Sequence, residues 1–248
     1  MLSPLPNAWD LITDSWRAFT KTWDTTVRIS AWFIATGILQ AAGGIMLERG
    51  NAGAAVTVIC MLLAGFLAIC LTIALYRAVL GLERGQTPKT DPKDIWMDAR
   101  SLILPLLLVG LLQGLAVFGA TLLFVIPGIY MGIRLGFSQL VLIEKGLRGR
   151  AALAESWTLT KDRFWALFGR QLAGGALFGF GIGMLVAVAV IIVMLLAGPA
   201  FADTITQEDN ATGNGVITII SSIIQAAFVP LMVIFQVKLL RALERGRA

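Results

Sequence analysis

The sequence predicts an all-α polytopic membrane protein: six transmembrane helices, cytoplasmic interfacial amphipathic helices and repeated helix-hairpin units. Three observations predict it. Of 248 residues, 57 % are hydrophobic and 14 % charged, and the mean hydropathy is +0.82, whereas soluble domains run at roughly 45–50 % apolar and about 25 % charged. The apolar excess is concentrated in six long runs. The basic residues fall almost entirely on alternate sides of those runs, the pattern of a chain threaded through a bilayer. No run alternates with period two, so helices rather than barrel strands are expected.

Met1 to Pro6 holds neither a charged leader nor an apolar stretch, so no cleavable signal peptide is expected. Residues 7–26 read as an interfacial helix bearing Trp16 and Trp23. Spans are expected at about 29–47, 54–75, 102–126, 128–143, 172–197 and 216–237, within one domain over 1–248. Five are long enough for a hydrocarbon core that takes roughly 20 residues. The fourth is at the short edge, either a tilted span with thinned bilayer around it or a re-entrant piece.

Charge decides between those two. The N-terminal segment holds Arg17, Lys21 and Arg28, and the second loop Arg77, Arg84, Lys89, Lys93 and Arg100. The fourth loop holds Lys145, Arg148, Arg150, Lys161, Arg163 and Arg170, and the tail Lys238, Arg241, Arg245 and Arg247. On the other side stand Arg49 and an acidic loop with Asp203, Glu208 and Asp209. Six spans with both termini cytoplasmic satisfy the positive-inside rule, and a re-entrant fourth run would set the fourth loop against the tail. The net charge of +5 is thereby assigned to anionic lipid and not to nucleic acid.

Internal similarity suggests hairpin units. Asp14-Ser15-Trp16 precedes the first span, Asp94-Ile95-Trp96 the third and Glu155-Ser156-Trp157 the fifth. Leu82-Glu83-Arg84-Gly85, Ile143-Glu144-Lys145-Gly146 and Leu243-Glu244-Arg245-Gly246 close the three hairpins, while Leu47-Glu48-Arg49-Gly50 breaks the pattern. In 151–168, Leu153, Trp157, Phe164 and Phe168 share one helical face, as in a helix lying in the membrane plane. Trp16, Trp23, Trp96, Trp157, Phe164 and Trp165 are the expected interfacial anchors.

Gly128, Gly132 and Gly136 recur every fourth residue in the fourth span, and Gly175, Gly179 and Gly183 in the fifth. Small residues at that spacing let helix backbones approach closely, here expected within the chain, with dimerisation second. Arg134 is the one charge well inside a span, and an intramembrane charge points to function. Tyr130, Arg134 and Ser138 fall on one stripe at helical spacing. No carboxylate stands mid-span to pair with Arg134, which leaves Gln113, Gln139 or Gln225, freed carbonyls near Pro105 and Pro230, or an anionic headgroup or solute.

Several chemistries are excluded. The chain has no histidine, so Ser–His and Cys–His pairs and histidine metal sites are out. No mid-span carboxylate offers a proton relay. Cys60 and Cys70 sit ten residues apart on one run, about 15 Å along a helix and too far to pair. The acidic outer loop misses the spacing of a calcium loop. No enzyme, metal site or cofactor is expected.

The segment Leu123-Phe124-Val125-Ile126-Pro127-Gly128-Ile129-Tyr130, running into Arg134 and Leu135, resembles a mostly uncharacterised family of six-helix bacterial membrane domains. So do Glu144-Lys145-Gly146, Ala154-Glu155-Ser156-Trp157 and Phe164-Trp165. A related domain is joined in some bacteria to a glycerophosphoryl diester phosphodiesterase. The resemblance covers about residues 120–170 and is architectural elsewhere. It implies an inner-membrane protein tied to lipid or envelope biology. No catalytic domain follows Ala248 and that chemistry uses histidines, so the activity is not carried over. The expectation is a non-catalytic protein that binds or organises lipid or a membrane partner, or assembles with copies of itself. The alternative is a transporter or facilitator of an anionic small molecule or lipid, with Arg134 in the path.

Overall fold

The computed structural model describes residues 5–47, 50–86, 91–198 and 211–246. Regular structure among them is all helical: α1 (Ala8–Ser30), α2 (Phe33–Leu47), α3 (Gly50–Glu83), α4 (Pro92–Leu123), α5 (Val125–Leu135), α6 (Ser138–Lys145), α7 (Arg150–Leu159), α8 (Phe164–Ala197) and α9 (Ala211–Arg245). Among the described residues, six stretches are long and apolar enough to cross a membrane: Ala8–Leu47, Gly50–Glu83, Ala99–Leu123, Val125–Lys145, Phe164–Ala197 and Ala211–Arg245. The Glu48-Arg49 pair, Lys89, Arg247 and the acidic stretch with Asp203, Glu208 and Asp209 lie outside the described residues.

The chain divides into two compact units. One comprises Met1–Trp23, Ile73–Gly175 and Leu231–Ala248, the other Asp24–Thr72 and Ala176–Pro230. In the second unit, small residues set the helix contacts. A Cβ on Gly37 would overlap the Ser222 side chain, and one on Gly43 would fall 3.1 Å from the Cys60 Cβ. The Thr57 hydroxyl lies 2.6 Å from the Gly43 carbonyl and 2.9 Å from that of Gly53, so α2 and α3 share a polar contact as well as close backbones. Cys60 and Cys70 are both free thiols.

The first unit is built around the α4–α5 hairpin. Asp91 caps α4 by accepting the Lys93 N–H at 3.0 Å, with a proline in the first turn where its missing donor costs nothing. The chain then reverses on Phe124 alone, extended at φ −160°, whose N–H still reaches Ala120 O. Pro127 stands in the first turn of α5, and a Cβ on Gly128 would overlap Thr121 across the hairpin. The third span thus ends at Leu123, short of the expected 126.

Two expected helices are interrupted. The fourth span is not one helix over 128–143: α5 stops at Leu135, Gly136 and Phe137 turn, and α6 starts at Ser138. The helix expected over 151–168 ends at Leu159, because Asp162 takes a left-handed conformation (φ 61°) that an α-helix cannot continue through. Phe164 and Phe168 therefore belong to α8 and not to the helix of Leu153 and Trp157.

Charges close the unit. Arg241 of α9 meets Glu83 at 3.2 Å, Glu144 at 2.6 Å and Glu244 at 3.1 Å. Lys145 meets Glu155 at 2.9 Å and Glu244 at 3.0 Å, and Arg84 reaches Glu144 at 3.4 Å. The glutamates of all three Glu-(Arg/Lys)-Gly exit turns therefore converge on one guanidinium. Other cations hold main-chain carbonyls: Arg170 those of Leu5 and Pro6, Arg163 that of Gly246, and Lys238 that of Asp14.

Candidate functional site

The break in the fourth span creates the site. Stopping α5 at Leu135 leaves its last carbonyls without the amide donors a continuing helix would bring. Ser156 donates its hydroxyl to Arg134 O at 2.9 Å, and the Thr160 hydroxyl lies 3.2 Å from the same oxygen. Both hydroxyls are fully buried. Ser156 and Thr160 are one helical turn apart, so a single face of α7 and its C-terminal cap serves the break. A buried carbonyl left without a donor costs about 1–3 kcal/mol, which is why hydroxyls stand there.

The Arg134 side chain is 4 % exposed. Its guanidinium carbon stands 4.1 Å from the centre of the Trp157 ring and 5.6 Å from that of Tyr130. Tyr130 meets Trp157 edge-on at 5.9 Å and Phe164 at 4.9 Å. The cation is thus covered by aromatic faces. Its Nε is buried without a hydrogen-bond partner, and no carboxylate of the described residues forms an ion pair with it. Stacking a desolvated cation on such rings is worth about 2 kcal/mol, against at least about 2.5–3.5 kcal/mol for placing arginine at the centre of a spanning helix. Aromatic cover offsets most of the burial and leaves the positive charge uncompensated.

Of the sequence-predicted stripe, Tyr130 and Arg134 come together and Ser138 does not join them. Ser138 lies past the break, fully buried, its hydroxyl 2.7 Å from Leu135 O and 2.8 Å from Gln113 Oε1. In the first glycine ladder, Gly128 approaches Thr121 closely while a Cβ on Gly132 would meet nothing within 4 Å, and Gly136 sits in the break. A Cβ on Gly175, Gly179 or Gly183 would likewise meet nothing within 4 Å, so no close backbone approach occurs at the α8 ladder among the described residues. Trp16, Trp23, Trp96 and Trp165 are exposed, whereas Trp157 is half-buried over Arg134 and Phe164 half-buried against Tyr130.

Sequence reasoning misses Trp157 as the partner of Arg134, and Ser156 and Thr160 as carbonyl donors. The Glu155-Ser156-Trp157 run is nonetheless conspicuous in the sequence, and each of its members is engaged near the break. Glu155 pairs with Lys145, Ser156 serves Arg134 O, and Trp157 covers the Arg134 cation.

A family model described as the membrane domain of glycerophosphoryl diester phosphodiesterase matches residues 101–246. The chain belongs to this family. The match takes in most of the α4–α5 hairpin, the break, the Arg134 site and, from the cluster around Arg241, Glu144, Lys145, Glu155 and Glu244, while Glu83 and Arg84 precede it. Neither the curated proteins nor the solved structures hold a match to the chain. The family's membrane part is what these 248 residues carry. They hold no phosphodiesterase catalytic domain, and the described residues contain no group of three or more His, Cys, Asp or Glu placed to hold a metal ion. The chain is a multi-pass protein of the bacterial inner membrane.

Proposed function

We propose that this family member binds an anionic lipid headgroup at Arg134 and so organises lipid, or a lipid-bound membrane partner, in the bacterial inner membrane. One observation carries the reading: a buried guanidinium lying against both the Trp157 and Tyr130 rings, with no carboxylate paired to it among the described residues. Such a cation recruits a counterion, and in a bilayer the available one is a lipid phosphate.

Both termini are placed in the cytoplasm on the charge pattern of the loops. The amphipathic helices are read as lying at that surface. Support comes from Leu11, Ser15 and Phe19, buried at spacing four on α1 beside the exposed Trp16 and Trp23, and from Ala152, Ser156 and Leu159 on α7. The convergence of Glu83, Glu144 and Glu244 on Arg241 supports descent from repeated hairpins.

The interrupted fourth span favours a second reading, because transporters bind substrates at broken helices. There, half-helix N-termini face anionic groups and unwound carbonyls coordinate a coupling cation. Here the Arg134 carbonyl already meets the Ser156 and Thr160 hydroxyls, so that oxygen is not free for a coupling cation. Native mass spectrometry of the protein in mild detergent, parent beside Arg134→Ala, tests the proposal. A defined anionic lipid kept by the parent and lost by the variant is expected; equal lipid content in both would refute it.

A further inference from the structure

The first unit also holds a cavity of about 590 Å³, its floor partly apolar (Pro6, Leu11 and Ala242) and its charged lining made by Asp14 of α1, Glu83 and Arg84 at the end of α3, and Lys238, Arg241 and Arg245 on the last turns of α9. None of these residues takes part in the Arg134 site. Four cations face two carboxylates, and the carboxylates are engaged. Glu83 is bound to Arg241 at 3.2 Å, and Asp14 faces Arg17 at 3.6 Å. Arg241 is further neutralised by Glu144 and Glu244, and Arg84 leans on Glu144.

Two cations remain. The Lys238 ammonium makes one hydrogen bond, to the main-chain carbonyl of Asp14 at 2.9 Å. Arg245 is exposed. Neither has an ion-pair partner among the described residues. An ammonium carries three donors and a guanidinium five, and neither accepts. The lining therefore presents a surplus of N–H donors and positive charge, next to an Arg241 fixed in place by three glutamates. A ligand matching this must be anionic and rich in acceptor oxygens, and a guanidinium fork fits phosphate oxygens two at a time. The volume is that of a small-molecule site and far exceeds a bare ion.

We propose that this cavity is a second anion site, which binds a phosphate ester through Lys238 and Arg245, with Arg84 and Arg241 behind them. The ester is carried by a lipid headgroup or by a water-soluble molecule, and the two sources separate in one experiment. The full chain in neutral detergent is titrated by calorimetry with glycerol 3-phosphate, and separately with micelles doped with phosphatidylglycerol against undoped micelles. Saturable binding of glycerol 3-phosphate assigns a soluble source; binding of the doped micelles alone assigns a headgroup.

In either arm Lys238→Gln with Arg245→Gln should weaken binding at least about ten-fold, the effect of losing one charge-assisted hydrogen bond. The charge-matched pair Arg148→Gln with Arg150→Gln, both exposed, should stay within about two-fold of the parent. Because Lys238 also holds α1, Arg245→Glu alone provides a change at an exposed residue, and it too should weaken binding. No saturable binding by the parent in either arm overturns the proposal. So does parent-like binding by Arg245→Glu, or an equal loss in the charge-matched control.

Discussion

The Ser156 hydroxyl donates to the carbonyl oxygen of Arg134 at 2.9 Å, and the adjacent Trp157 covers the guanidinium of that same arginine. Two consecutive residues of α7 thus serve both ends of one residue at the break between α5 and α6. Main chain and side chain are stabilised separately, by a hydrogen bond and by a ring face. That separation makes the two contributions measurable one at a time.

Ser156→Ala and Thr160→Val each remove one of two hydroxyls near the Arg134 carbonyl. Each single change should cost about 1 kcal/mol, because the remaining hydroxyl can turn its one proton to that carbonyl, Thr160 by giving up its 2.9 Å contact with Ser156 O. Together they leave a buried acceptor with nothing, so the double variant should lose more than the sum, by about 0.5–3 kcal/mol. Thermal unfolding in detergent measures it. Strict additivity would mean that the two hydroxyls do not share that carbonyl.

The Trp157 ring contributes through the Arg134 cation, so its replacement should depend on that cation. Trp157→Leu should destabilise the parent by about 1–2 kcal/mol beyond the effect of the same change made in an Arg134→Met background. Trp157→Phe, which keeps a ring face, should fall between. A four-variant cycle by denaturation reads the coupling energy directly. Zero coupling would mean that the ring packs against Arg134 without attracting its charge.

What is legible in the sequence follows from local physics. Apolar run length and loop charge locate six spans because both are properties of contiguous residues. The break at Gly136-Phe137 is not legible. Gly136 falls on the fourfold spacing of Gly128 and Gly132 and so reads as part of a packing ladder, and nothing in that spacing marks where a helix stops. Trp157 reads as an anchor for the same reason: helical periodicity assigns a face but not the arginine that lies across from it, in another helix. The glycines that do bring helices of the second unit together, Gly37 and Gly43, belong to no ladder at all.

The glycines should separate cleanly on substitution. At Gly37 a methyl group would overlap Ser222, so Gly37→Ala should destabilise by about 1–3 kcal/mol. Adding Ser222→Gly, which removes both the Oγ and the Cβ that the methyl group would overlap, should recover part of that loss. At Gly179 a Cβ would meet nothing within 4 Å, so Gly179→Ala should be neutral or stabilising by up to about 1 kcal/mol through helix propensity. Detergent thermal stability compares them side by side. A large loss at Gly179 would instead reveal a close partner on α8, with a second copy of the chain the first to test by cross-linking.

Arg241 offers the sharpest test of the charge cluster. Its guanidinium is the meeting point of Glu83, Glu144 and Glu244, and the Glu144 side chain is only 5 % exposed. Removing one partner of a buried pair costs about 3–5 kcal/mol when the other charge is left uncompensated. Arg84 still reaches Glu144 at 3.4 Å and Arg241 is itself 27 % exposed, so Arg241→Gln should cost less, about 1–3 kcal/mol. Glu144→Gln added to that variant should restore much of the loss, since the stranded carboxylate is the cause. Glu83→Gln, at a carboxylate 30 % exposed, should restore little. Unfolding midpoints of the parent, Arg241→Gln and the two double variants decide the matter. Equal rescue by both glutamine changes would show that net charge, and not the buried Glu144, governs the cluster.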